Sequence, residues 1–97
     1  MEPIIIEGAL FQLGALVATP AALAALRSAA LQVGSFVQRH ASGDWSEMGA
    51  DDATANTIAM FTRRRIFSCY RLPDGERLFV ITEADRSSTT VLLGRDY

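Results

Sequence analysis

The stretch from Arg64 to Tyr97, RRIFSCYRLPDGERLFVITEADRSSTTVLLGRDY, constrains this chain most. It contains three strand-like runs joined by turn chemistry. From Ile66 to Leu72 the side chains alternate. Ile66, Ser68, Tyr70 and Leu72 fall on one face, and Phe67 and Cys69 on the other. Pro73-Asp74-Gly75 is a hairpin signal, because proline presets φ, aspartate closes the turn and glycine supplies a positive φ. Leu78 to Thr82 is apolar on both faces and reads as the central strand. A polar turn at 84–88 leads to a third strand, Thr89–Leu93. The result is an antiparallel meander.

The rest of the chain reads mainly as helix. Pro3–Ile6 and Leu10–Val17 have strand character and suggest an N-terminal hairpin. Thr19-Pro20 is a helix start, with threonine as N-cap and proline in the first turn. A helix over 21–30 would bury Leu23, Leu26, Ala30 and Leu31. Val33-Gly34-Ser35 resets the chain before a short helix carrying Phe36, Val37, His40 and Ala41, which Gly43 ends. Asp51 or Asp52 caps a third helix running to Thr62, with Ala55, Ile58, Ala59 and Thr62 on one face. The expected fold is therefore one α+β domain over residues 1–97. Three short helices pack on an antiparallel sheet that has a C-terminal three-stranded meander and one or two N-terminal strands.

Composition narrows the function classes. The net charge of −2 disfavours broad binding to nucleic acid. All nine cations are arginine. No apolar run approaches the roughly 20 residues of a membrane span, and MEPIIIEG lacks a basic n-region and a long h-region, so a cytoplasmic location is expected. One cysteine, Cys69, and one histidine, His40, allow no internal disulfide and disfavour a structural zinc site. No phosphate-loop, dinucleotide, zinc-protease or serine-hydrolase motif is present. No cofactor or metal is expected.

Three polar groups are candidate sites. Glu83, Asp85 and Arg86 lie with four hydroxyls in eight residues, either as a binding rim or as a turn in which Arg86 pairs with Glu83. Asp44 and Trp45 follow His40, and Trp45 either pins its loop to the core or meets a partner. Arg63-Arg64-Arg65 either binds phosphate or complements the end of the third helix.

Leu16–Pro20 with Ala22-Leu23, Arg39-His40 with Gly43-Asp44-Trp45, and Ile81–Ser87 with Thr89–Leu93 and Tyr97 occur in that order. In these blocks the chain resembles a family of small bacterial proteins of plasmids, integrative elements and prophages. That family is labelled plasmid-related protein or type I restriction subunit M. The resemblance implies a mobile-element setting and supplies no catalytic residues. The chain is too short for a methyltransferase.

The leading expectation is a non-enzymatic accessory protein acting by protein contacts through Asp44, Trp45, Glu83, Asp85 and Arg86, with an anti-defence role as one version. A metal-independent ribonuclease toxin using His40, Arg63–Arg65 and Tyr70 is the first alternative. A homodimer formed through a sheet edge is the second.

Overall fold

The computed structural model describes Ile6 and residues 8–97. Its elements are β1 (Ala15–Ala18), α1 (Pro20–Ser28), α2 (Val33–Ala41), α3 (Ala50–Thr62), β2 (Ile66–Arg71), β3 (Arg77–Thr82) and β4 (Ser88–Leu93), followed by a 3-10 turn at Gly94–Asp96. The fold is α+β. The sheet order is β1-β4-β3-β2. The C-terminal meander is antiparallel as expected, while β1 joins β4 in parallel, which makes the sheet mixed.

Local signals explain most elements. Thr19 Oγ1 accepts the Ala22 N–H at 3.1 Å, so the N-cap at the head of α1 forms as read. Gly43 follows α2 at a φ of +77°, in the left-handed conformation that glycine tolerates. At the β2–β3 hairpin Gly75 N–H donates to the Leu72 carbonyl, and Asp74 Oδ1 accepts the Glu76 N–H. The alternation in β2 holds: Ile66, Ser68 and Tyr70 are buried, and Phe67 and Cys69 are half-buried on the opposite face.

Several expectations are corrected. The second strand starts at Ala15 rather than Leu10. The expected strand at Pro3–Ile6 lies, Ile6 apart, outside the described residues. Val33-Gly34-Ser35 is the first turn of α2 rather than a break before it. In α1 the buried residues are Ala22 and Leu26, whereas Leu23 is 39% exposed, because the alanine side packs closest to the sheet. In α3 Asn56 and Ala59 are buried, while Ala55, Ile58 and Thr62 face outward. Gly49 is its N-cap, with Asp51 and Asp52 in the first turn.

The main core lies between one sheet face and helices α1 and α2. It includes Leu26, Phe36, Val37, Tyr70, Leu78, Val80, Val91 and Leu93. Helix α3 lies beside the edge strand β2 instead. A smaller cluster of Trp45, Ala59 and Ile66, with Phe11, Met48, Ala53 and Met60, joins it there. The opposite sheet face, carrying Phe67, Cys69 and Phe79, is left partly open.

Candidate functional site

The polar residues singled out in the sequence divide sharply by burial. His40 is fully buried and sits within a directed hydrogen-bond chain. Thr89 Oγ1 donates its only hydrogen to the Leu13 carbonyl at 2.8 Å. In its 2.6 Å contact with Thr82 it must therefore accept, and Thr82 donates. Thr82 is then left to accept from His40 Nε2–H at 2.7 Å. On the other side Trp45 Nε1–H donates to Ser68 Oγ at 2.8 Å, and Ser68 donates to His40 Nδ1 at 2.5 Å. One direction runs from Trp45 through Ser68, His40, Thr82 and Thr89 to Leu13, and it requires a neutral ring protonated on Nε2. Burial pushes the His40 pKa down to about 4, which keeps the ring neutral as that direction requires. The Phe11 ring meets the imidazole edge-on at 5.1 Å. Both ring nitrogens are engaged, so this histidine cross-links α2 to β2 and β3.

Trp45 is buried, pinned through its indole N–H and packed with Ala59 and Ile66. Asp44 beside it is partly exposed and accepts Arg39 Nε–H and the Ser46 hydroxyl, each at 2.6 Å. Arg39, then Ser46, hold its carboxyl down at about 2. Arg39 also donates to Glu47 at 2.7 Å and lies 4.3 Å from the centre of the Tyr70 ring. Tyr70 O–H donates to the Asp44 carbonyl at 2.9 Å. The Asp44–Trp45 loop is thus held from three directions.

Arg86 turns inward. Only 8% exposed, it donates to the carbonyls of Ala59 at 2.9 Å, Arg64 at 2.7 Å and Glu83 at 3.1 Å. It therefore caps the C-terminal end of α3 and ties the β3–β4 turn to it. The expected Arg86–Glu83 side-chain pair is replaced. Arg86 reaches the Glu83 backbone, while the Glu83 carboxylate faces Arg65 at 3.5 Å. The carbonyls are the reason: those of Ala59 in the last turn of α3, of Arg64 just beyond it and of Glu83 converge on one planar guanidinium. Asp85 is exposed, and its pKa is lowered by hydrogen bonds from the Ser87 hydroxyl and then from the Ser87 N–H, the latter at 3.0 Å. Arg63–Arg65 are exposed, and Arg63 is itself the left-handed C-cap of α3. Of the five residues proposed as a rim, Trp45 and Arg86 are structural, and Asp44, Glu83 and Asp85 keep solvent contact.

An apolar concavity lies elsewhere. A groove of about 760 Å³ runs between α3 and the open face of β2 and β3. Met48, Ala55, Ile58, Phe67, Cys69 and Phe79 supply its apolar lining, with Arg64, Arg65, Arg71 and Arg77 around them. Glu47 and Asp52 stand among the lining residues as well. Phe67 and Phe79 pack at 4.7 Å, and Tyr97 meets both edge-on.

No family model, curated protein or solved structure matches the chain.

The edge of β2 shapes the groove. Asn56 of α3 behaves as a short neighbouring strand: its amide accepts the Phe67 N–H at 3.0 Å and donates to the Phe67 carbonyl at 2.8 Å. Glu47 accepts the Arg71 N–H at 2.9 Å. These contacts blunt the edge at two points. Between them the backbone of Cys69 faces outward by the alternation of an antiparallel ladder. Burial pushes the Cys69 thiol pKa up, so it stays protonated and a weak nucleophile at neutral pH. Among the described residues no three His, Cys, Asp or Glu side chains converge on a metal position. No single helix among them is long and apolar enough to cross a membrane. Sequence reasoning missed the groove because its lining comes from α3, β2 and β3 together. The outward pairing of Phe67 with Cys69 was its one legible sign.

Proposed function

We propose that this protein is a non-enzymatic binding protein acting through protein contacts, with the groove between α3 and the sheet as its docking surface. The observation that carries this reading is an apolar groove continuing onto an exposed helix face. Ile58 is 54% exposed in the groove, and Phe61, one turn on, is 82% exposed. Side chains of this kind left open on a small domain mark an interaction surface. The resemblance to mobile-element proteins adds the setting of an accessory factor, with anti-defence activity as one form of it. The geometry favours this over the ribonuclease alternative, since His40 is sealed in the core with both nitrogens bonded.

The test is affinity capture from bacterial extract with three forms of the chain. Wild type and Leu23→Glu, altered on the far helix α1, are expected to recover the same partner, and Ile58→Glu to lose it. Equal recovery by all three forms would remove the groove from the interaction.

A second reading concerns self-association. β1 is the other edge of the sheet, and Leu16 and Val17 on it are exposed. A homodimer through this edge predicts concentration-dependent sedimentation that Leu16→Lys abolishes. A single monomeric species for wild type at high concentration would dispose of it.

A further inference from the structure

Arg71 and Arg77 are direct partners in the β2–β3 register. Leu72 N–H donates to the Glu76 carbonyl, so the adjacent Arg71–Arg77 position is a non-hydrogen-bonded pair, in which facing side chains approach most closely. Two like charges placed directly opposite destabilise a ladder. Among the described residues no carboxylate lies within ion-pair distance of either guanidinium, whereas Arg39 has two and Arg65 and Arg95 have one each. The nearby Glu47 carboxylate is held by Arg39 and by the Arg71 backbone N–H. Both arginines line the groove next to Cys69 and Phe79.

We infer that the Arg71–Arg77 pair is a recognition site for a carboxylate on an acidic, aromatic-bearing peptide segment of a partner protein. This rests on the docking reading above and names the chemistry of the occupant. The carboxylate bridges the two guanidiniums, each of which offers a planar fork of donors. An adjacent apolar side chain lies against Phe67 and Phe79. The outward Cys69 N–H and C=O offer the peptide one main-chain pair. Charge complementarity selects a locally acidic peptide over a polyanion. Glu47 and Asp52 line the same groove and confine its positive charge to the arginines, which suits a single carboxylate better than a run of repeated phosphates.

The experiment is amide chemical-shift titration of the full chain with three probes: N-acetyl-Phe-Asp-amide, N-acetyl-Phe-Asn-amide and octauridylate. The expected result is a saturable shift at Cys69, Arg71, Arg77 and Phe79 with the aspartyl probe, and binding of the asparaginyl probe about tenfold weaker. Arg71→Gln and Arg77→Gln, both at exposed positions, should each bring the aspartyl probe down to the asparaginyl level. Equal binding of the two peptides would overturn the carboxylate site and leave the docking reading standing. No shift with either peptide would overturn both. Tighter binding of octauridylate at the same amides would overturn the peptide assignment in favour of single-stranded nucleic acid.

Discussion

Three polar residues that look like functional groups in the sequence, His40, Asp44 and Arg86, contribute to stability. His40 is neutral in the fold, with a pKa near 4, and titrates near 6.5 when the chain is unfolded. Between those values the unfolded chain binds a proton that the folded chain does not, so stability falls as pH falls. It is fully present above about pH 6.5, and the loss by pH 4 is ~3 kcal/mol. Urea unfolding at pH 7 and pH 4.5 should show this slope, and His40→Gln should flatten it, since the chain has one histidine. An equal slope in both proteins would place the effect elsewhere. Asp44 acts in a separate window: its stabilisation is present above its ordinary pKa and fades as pH falls from about 4 toward 2. Arg86 makes a different prediction. Lysine cannot fork to the Ala59 and Arg64 carbonyls together, so Arg86→Lys should lower stability by ~2 kcal/mol. Thermal or denaturant unfolding checks this, and a neutral result would mean the capping contacts contribute nothing.

At the scale of elements, the signals that worked were short. The Thr19 cap, the Pro73-Asp74-Gly75 turn and the alternation of β2 each depend on residues within a few positions of one another. The helix faces were read less well. A moderate apolar stripe does not say which flank meets the sheet, and α3 presents Asn56 and Ala59 rather than Ala55 and Ile58. Its placement beside β2 comes from the Asn56 amide bonding Phe67, a contact with no helical periodicity. β1 depends on an even closer approach. Gly14 has a φ of +65°, and a Cβ there would lie 2.3 Å from the Ser87 carbonyl oxygen. Gly14→Ala should therefore cost ~3 kcal/mol or detach β1 from β4, because both backbones are held in the ladder. Denaturant unfolding reads the first outcome, and loss of amide protection at Val17 reads the second.

For the whole molecule, protection should follow sheet position. β3 and β4 are paired on both sides, and β1 is an open edge four residues long. Native-state hydrogen exchange should find Ile81 and Leu92, whose amides lie between β3 and β4, opening only with global unfolding, while the outward amides of Leu16 and Ala18 exchange fast. Uniform protection across the sheet would mean that the β1 edge is covered in solution, as the dimer reading requires. The sequence by itself determined an α+β domain, its C-terminal meander, the turn chemistry and the absence of familiar catalytic motifs. These follow from backbone preferences and periodicity, which neighbouring residues set. Only the tertiary structure decided that β1 runs parallel to β4, that His40 and Arg86 point inward, and that Arg71 and Arg77 stand beside an apolar groove with no ion-pair partner among the described residues. The Thr89–Leu13 bond spans 76 positions and the Arg86–Ala59 bond 27. Whether a polar side chain is a site or a strut depends on which distant acceptor the fold brings to it, and no local pattern encodes that choice.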